Sequence, residues 1–400
     1  MMRLSLNTLT AAAVTLLASA CSESAEPSLP EVDDEGMVYF TINVSSGSIG
    51  GSRADGDFSF DNGLSPYEQM QTLRAIIVRS TPDNPATDGL IEHNELIYNT
   101  NSNQGVNLSS SGFLKVIGGE KKNVYLFANE NHTYPSPFTN NNLTPKLNNL
   151  TIGKKFPAEE FIGMEIEFPD GTTQQPIIDN ETSRAKKYLP MSERFEITVD
   201  KLNDDASNRY QSADLFVTRA AVKYGFYIDE KSTSQSNIKI TDITVHGLAD
   251  REYLLPQNGT GVDATYAPDK YSVTKDDRII TAYTCPDDVE TYDYTFTMPE
   301  NFGILYDTDG KDIATKKYEP ALYFAESPLP DDAKYCITVK TNNDYFTKPV
   351  IYGPISLPNL PNLPRNTFVK VILKLTDDEL EVIVQPYTGV WLEPDFGIER

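Results

Sequence analysis

The chain reads Val38-Tyr39-Phe40-Thr41-Ile42-Asn43-Val44 early in the sequence, and this stretch alternates apolar with polar side chains. Such alternation predicts a strand with one buried face, because successive side chains of a strand point to opposite sides of the sheet. Similar short stretches recur between polar turns, and the sequence contains 26 prolines to interrupt them. Many short strands with frequent turn signals predict an all-β fold built of antiparallel β-sandwiches.

Short alternating stretches and turn signals recur along the whole chain, and this pattern predicts very little helix. One short helix is expected around residues 65–68, where a serine followed by proline and glutamate has the form of a helix start. Residues 140–150 are expected to form a polar loop, and residues 215–226 one long strand. The other predicted strands are 73–78, 112–117, 124–128, 195–199, 238–246, 279–284, 292–298, 321–325 and 335–340, with a closing hairpin of 368–375 and 380–384.

A length of 400 residues favours two domains in tandem, with three small ones as the alternative, and the polar segment 200–212 is the predicted boundary between two domains. The predicted division is a signal peptide at 1–20, an acidic tether with the first strand and a cleavable loop at 21–53, an N-terminal sandwich at 54–205, a C-terminal sandwich at 206–387, and a tail at 388–400.

The first residues have the pattern of an export signal. Arg3 is followed by an apolar run over residues 9–20, which is too short to span a bilayer. Small residues directly before Cys21 resemble a bacterial lipobox, which predicts acylation of Cys21 and attachment to the outer membrane by lipid. A plain signal peptide followed by a chance cysteine is the alternative.

The net charge argues against two classes of partner, and the cysteine content bears on disulfide bonds and metal sites. The formal net charge of −24 at pH 7 argues against nucleic acid and against anionic membrane faces as partners. With Cys21 acylated, Cys285 and Cys336 remain, and the sequence leaves open whether they pair. No spacing of cysteine and histidine suggests a metal site, and no cofactor is expected.

The sequence offers no catalytic motif. It lacks the Gly-x-Ser-x-Gly turn of hydrolases and the glycine loops that hold phosphates. His93, His132 and His246 lie in unrelated contexts, and His246 is expected to be an ordinary strand residue. A pair of catalytic carboxylates stays possible among 58 acidic residues, but nothing singles out two of them. We therefore expect that the protein is not an enzyme.

The pattern of the tail predicts a second alternating strand. Its apolar residues all fall on one face of an extended chain. Because a free apolar strand promotes aggregation, it must either complete its own sheet or be donated to a neighbour. The residues of this predicted donor strand are Val390, Leu392, Pro394, Phe396 and Ile398.

A glycine- and serine-rich loop joins the first strand to the rest of the chain and ends at Arg53. Such loops are open to proteases. A cut between Arg53 and Ala54 would let the first strand leave, and the tail of another copy could fill the slot that Val38, Phe40, Ile42 and Val44 had occupied. Joining of this head-to-tail kind is open-ended and produces a fibre.

Several motifs, taken in order, resemble the fimbrillin superfamily of type V pilus subunits. The resemblance covers nearly the whole chain after the signal peptide. The motifs are Arg53-Ala54 before an acidic stretch, Leu73-Arg74-Ala75-Ile76-Ile77-Val78, Val124-Tyr125-Leu126-Phe127-Ala128-Asn129, Leu189-Pro190-Met191-Ser192, Val217-Thr218-Arg219-Ala220-Ala221-Val222-Lys223 and Arg365-Asn366-Thr367-Phe368.

This resemblance implies a lipoprotein with two transthyretin-like sandwiches that is lipidated at Cys21. It further implies that an arginine-specific protease cuts at Arg53, and that residues 390–398 replace the first strand of another pilus subunit. Arg74, Arg79 and Arg219 are expected to be protected from the protease within strands. The sequence does not decide whether the protein is a stalk, a tip or an anchor subunit. The alternative function is that of a lipid-anchored module that binds glycan or protein ligands.

Overall fold

The computed structural model describes residues 36–46, 70–99, 114–137, 141–167, 177–179, 188–229, 238–256, 289–297, 305–306, 321–326, 335–343, 349–357, 365, 367–375 and 380–388. Within these ranges the chain forms twenty strands and two five-residue α-helices, which confirms the all-β prediction.

The strands carry the fold, and their bounds are as follows. They are β1 (Met37–Ser46), β2 (Thr72–Ser80), β3 (Ile91–Asn99), β4 (Leu114–Ile117), β5 (Glu120–Ala128), β6 (Tyr134–Pro135), β7 (Glu165–Glu167), β8 (Ile177–Asp179), β9 (Met191–Val199), β10 (Tyr210–Arg219), β11 (Val222–Asp229), β12 (Ile238–Ala249), β13 (Arg251–Tyr253), β14 (Thr291–Thr297), β15 (Leu305–Tyr306), β16 (Ala321–Phe324), β17 (Cys336–Asn343), β18 (Val350–Ser356), β19 (Thr367–Leu375) and β20 (Leu380–Thr388); the helices are α1 (Thr144–Asn148) and α2 (Ala158–Ile162).

The N-terminal half forms a seven-stranded sheet in the order β3-β2-β5-β9-β10-β1-β4. β10 bends the sheet back on itself, since residues 210–217 pair with β1 whereas Thr218 and Arg219 pair with β9. The apolar side chains of β1, β2, β5, β9 and β10 consequently meet in one core. This core includes Phe40, Ile77, Leu126, Phe195 and Leu215.

The C-terminal half contains two sheets that share another core. One has the order β20-β19-β11-β16-β8, with β15 paired to β11, and the other has the order β14-β12-β17-β18. Tyr224 and Phe226 of the first sheet pack with Ile243 and Val245 of the second. A short sheet, β13-β7-β6, lies beside a third core that contains Phe156 and Phe161.

The predicted N-terminal sandwich ends at residue 205, but strands continue to pair with the N-terminal sheet beyond that residue. β10 belongs to the N-terminal sheet, and the predicted boundary segment is the connection between β9 and β10. The predicted single strand over 215–226 is wrong, because the chain breaks at Ala220 and Ala221 between β10 and β11. Both alanines are fully buried, and they belong to different cores, Ala220 to the third core and Ala221 to the C-terminal core. The division into two domains otherwise stays a prediction.

Other differences concern short elements. The predicted polar loop at 140–150 contains α1, whose Leu147 is buried in the third core. β3 and β18 were not predicted, because their sequences lack a clean alternation. The closing hairpin is confirmed, with β19 and β20 paired from Thr367–Thr388 to Leu375–Leu380. The helix expected at 65–68 and the strand expected at 279–284 lie outside the described residues.

Candidate assembly site

The predicted exchangeable strand is β1, and its apolar residues all face the N-terminal core. The exposed fractions are 0% for Val38, 3% for Phe40, 3% for Ile42 and 8% for Val44. Burial of four such side chains stabilises a fold by roughly 6–12 kcal/mol, since each contributes about 1.5–3 kcal/mol. That is comparable with the whole stability of a typical domain, about 5–15 kcal/mol. The N-terminal core therefore requires a strand in this position.

β1 lies inside its sheet, with a hydrogen-bonded neighbour on each side. It runs parallel to β10 from Tyr39–Tyr210 to Ser46–Val217, and antiparallel to β4 from Met37–Ile117 to Phe40–Leu114. Loss of β1 would expose two backbone edges together with an apolar groove, and any alternating apolar strand of similar length could fill it.

The outward face of β1 carries an aromatic contact. The ring of Tyr39 stacks on Tyr210 with centroids 5.3 Å apart, and Lys115 Nζ lies 5.7 Å from the centroid of the Tyr39 ring. Tyr210 is 65% exposed, so this aromatic pair is open to solvent on the outer face of the sheet. The sequence pattern placed Tyr39 on the outer face but could not supply its partner.

The remaining predicted site residues lie outside the described residues. These are Cys21, Arg53, Ala54, Val390, Leu392, Pro394, Phe396 and Ile398, together with Cys285. Their roles stay predictions. Cys336 is described, and it is half-buried at the first position of β17.

The three arginines that were expected to be protected are buried in strands. The exposed fractions are 6% for Arg74, 8% for Arg79 and 0% for Arg219. Arg74 Nε donates to Glu130 Oε2 at 2.7 Å, and Arg79 Nε donates to Glu120 Oε1 at 2.8 Å. An arginine-specific protease cannot reach these side chains in the folded protein.

Gly118, in the turn after β4, permits the close approach of the residue that follows β9 and of β1. A Cβ atom at this position would lie 2.6 Å from the backbone oxygen of Asp200 and 3.2 Å from Val38 Cγ1. We expect Gly118→Ala to lower the free energy of unfolding by about 2 kcal/mol, because added atoms in a packed interior force the backbone to move. Urea unfolding followed by circular dichroism measures this change, and a stability equal to that of the wild type would contradict it.

A second buried polar group joins the two halves and was not predicted as a site. Arg365 Nε donates to Glu326 Oε1 at 2.6 Å, and Arg365 Nη1 donates to the Leu254 backbone oxygen at 3.2 Å. Arg365 Nη2 lies 3.8 Å from Glu252 Oε1. All three charged side chains are almost fully buried. One guanidinium therefore neutralises two carboxylates. The motif at 365–368, which carried part of the fimbrillin resemblance, did not predict this role for Arg365.

Burial shifts the acid–base equilibria in this group. Burial raises the pKa of Glu252 to about 8, with Arg365 opposing the shift and Glu326 adding to it. Burial raises the pKa of Glu193 to about 7, against hydrogen bonds and the charge of Arg365. The pKa of Glu326 is raised by burial as well, although Arg365 opposes it. The group therefore holds protons near neutral pH that the unfolded chain would release.

His246 makes the contacts of an ordinary strand residue, as expected. Its Nδ1 lies 2.8 Å from Asp293 Oδ2 and its Nε2 lies 2.8 Å from Thr338 Oγ1. This order of acid, imidazole and hydroxyl resembles a hydrolytic triad. The three side chains, however, lie on the open face of the β14-β12-β17-β18 sheet, and the Asp293 side chain is 59% exposed. An exposed sheet face neither excludes water nor encloses a substrate, in contrast to the site of a hydrolase.

The described residues contain neither a metal-binding cluster nor a membrane-spanning helix. In this part of the chain no group of three or more histidine, cysteine, aspartate or glutamate side chains is placed to hold a metal ion. No helix within the described ranges is long and apolar enough to cross a membrane.

Comparisons with known proteins give structural neighbours only. No protein-family model and no curated protein sequence matches the chain. Similar solved structures include the tip fimbrial protein Mfa3 from Porphyromonas gingivalis with a C-terminal truncation, at 10% identity and a TM-score of 0.43, covering 88% of this chain and 99% of that one. Another is the fimbrial anchor protein Mfa2 from P. gingivalis, at 9% identity and a TM-score of 0.32, covering 87% and 96%. Both are structures of fimbrial proteins, and this chain covers nearly the whole length of each.

Proposed function

We propose that this protein is a structural subunit of a cell-surface fimbria that serves in adhesion, and that it assembles by strand exchange. One observation carries the proposal. β1 lies between β10 and β4 with its apolar face in the core, yet a segment containing Arg53 connects it to the rest of the fold. A protease that cut at Arg53 would leave β1 held only by noncovalent contacts.

The tail supplies a strand of matching pattern. β1 alternates buried apolar residues with outward ones, and residues 390–398 repeat that alternation. In the direction of β1, with Val390 at the position of Val38, the aromatic Trp391 falls at the outward position of Tyr39. Trp391 would then face Tyr210 of the accepting subunit. This correspondence supports the tail as the incoming strand.

The proposal includes the route to the cell surface. A signal peptide would export the chain, and acylation of Cys21 would attach it to the outer membrane. The partners would be other fimbrial subunits and an arginine-specific protease. No catalytic step by this chain is part of the proposal.

The proposed assembly is tested with the chain from residue 22, with and without residues 388–400, treated with an arginine-specific protease. We expect a ladder of polymers on unheated detergent gels, with an N-terminus at Ala54, that requires the tail. Arg53→Ala is the control and should abolish both the cut and the ladder. Monomers in every reaction would contradict assembly by strand exchange.

A second function is favoured by one specific observation, the solvent-exposed stack of Tyr210 on Tyr39 beside Lys115. Aromatic faces flanked by polar groups are suited to binding sugars or protein side chains. Persistent monomers in the protease experiment would favour this alternative, a lipid-anchored module that binds glycan or protein ligands.

A further inference from the structure

β4 is the short strand on the side of β1 opposite to β10. The backbone N–H and C=O groups of its residues point alternately toward β1 and away from it. Gly118 N donates to Gly36 O at 3.0 Å, and the Val38–Val116 and Phe40–Leu114 pairs follow in the same register. Because hydrogen-bonded pairs alternate along an antiparallel ladder, the backbone groups of Val116 face β1. Those of Lys115 and Ile117 face away from β1.

Side chains of β3 bind the backbone groups that face away. Ile117 N donates to Glu92 Oε1 at 2.6 Å, and His93 Nε2 lies 2.6 Å from the Lys115 backbone oxygen, to which it donates. β3 and β4 are the two end strands of the seven-stranded sheet. These two hydrogen bonds therefore join its ends, where the described residues show no backbone ladder between them.

Glu92 is held in place by groups that do not belong to β1. Its Oε2 accepts from Lys122 Nζ at 2.5 Å, and Lys122 Nζ also donates to Glu120 Oε1 at 2.6 Å. Arg79 Nε and Nη2 donate to the two oxygens of Glu120 at 2.8 and 2.9 Å. Burial would raise the pKa of Glu120, but the hydrogen bonds from Arg79 and Lys122 outweigh it and lower the pKa. The two positive and two negative charges balance within β2, β3 and β5.

We propose that Glu92 and His93 form a clasp that holds β4 in place while β1 is absent, so that the groove between β10 and β4 stays open for an incoming strand. The proposal rests on the proposed function, since it concerns the interval between loss of one strand and arrival of the next. Neighbouring strands lie about 4.8 Å apart, so the groove must keep a width of roughly two spacings. In the described residues, β4 has no other strand to fix its position once β1 leaves.

Hydrogen exchange on the full chain from residue 22 tests the clasp without relying on Arg53 or the tail. A recognition sequence for an unrelated protease is inserted after residue 48, and single amides are followed with 15N-labelled valine and isoleucine before and after the cut. After the cut, we expect the Val116 amide to exchange about tenfold faster, because its partner strand opens locally. The Ile117 amide should keep its protection, because its acceptor is Glu92. Equal acceleration of both amides would overturn the clasp.

Two variants examine the clasp directly. Glu92→Gln and His93→Phe, once cut, should take up a labelled peptide of residues 36–46 about tenfold more slowly than the cut wild type, as expected for loss of one strong hydrogen bond. Uncut, His93→Phe should melt within about 3 °C of Leu96→Ala, a control on the same strand whose side chain is 38% exposed. Glu92→Gln should melt lower, because it leaves the buried Lys122 with Glu120 as its only carboxylate in this group.

The outcomes separate the clasp from the proposed function. Uptake by the cut variants at the wild-type rate would overturn the clasp, as would an equal loss of stability in uncut and cut variants, which would mark a purely structural contact. Failure of the fimbrial proposal appears elsewhere, as a missing tail-dependent ladder after cleavage at Arg53.

Discussion

Replacement of Phe40 by aspartate is expected to lower the free energy of unfolding of the N-terminal half by at least about 5 kcal/mol. Loss of a buried phenylalanine side chain alone costs about 3–5 kcal/mol. Phe40 is 3% exposed in the centre of the core, so the new carboxylate would in addition lose its hydration or take up a proton. Since the total stability of a domain is about 5–15 kcal/mol, the variant should be largely unfolded in this half. Urea titration with circular dichroism measures the loss.

Thr41→Asp is the matched control, because Thr41 is the next residue and is only half-buried on the opposite face of β1. Its effect should stay within about 1 kcal/mol. A wild-type peptide of residues 36–46 should restore structure to Phe40→Asp but should not change Thr41→Asp. Similar stabilities of the two variants would show that β1 does not complete this core.

The strands that were predicted from the sequence are those whose burial pattern is local. β1 reads as an alternating strand because its buried face meets a core and its other face meets solvent. The closing hairpin was predicted for the same reason, since β19 and β20 pair with one another and are separated by only four residues of sequence. In both cases, the residues that identify the element are the residues that form it.

Elements that depend on distant partners could not be predicted. β3 contains His93, Asn94 and Glu95 in sequence, which reads as a loop, but these residues lie on an end strand with polar neighbours. Glu92 reads as a surface residue until Lys122 of β5 is placed beside it. The junction at Ala220 and Ala221 appears apolar throughout because each residue is buried in a different core.

The Arg365 group is the clearest case, because its members are far apart in the sequence. Glu252 lies in the middle of the short β13, Glu326 follows β16, and Ser192 and Glu193 lie near the start of β9. Ser192 Oγ donates to the Leu254 backbone oxygen, which also accepts from Arg365. The group thereby ties a strand of the N-terminal sheet to the C-terminal half. Only the folded topology brings these charges together.

Arg365→Met is expected to lower the free energy of unfolding by about 3–5 kcal/mol at pH 8. The substitution removes the positive charge from Glu252 and Glu326 while both stay buried, and a buried ion pair that loses one partner leaves the other uncompensated. Arg251→Met is the control: Arg251 contacts Glu165 and Asp250, but the pair with Glu165 is partly open to solvent. Partly exposed ion pairs contribute about 0–1 kcal/mol, so the control should remain stable.

The dependence on pH separates an electrostatic loss from a packing loss. In the wild type the pKa of Glu252 is raised to about 8 from an ordinary 4.5, so between these values the folded state holds a proton that the unfolded state has released. Stability should therefore fall as the pH rises from about 5 to 8. Without Arg365 the buried carboxyls retain protons to still higher pH, so the fall should be steeper in Arg365→Met, and the variant should recover most of its stability at pH 5. Equal losses at pH 5 and pH 8, measured by urea unfolding, would mean that Arg365 acts through packing alone.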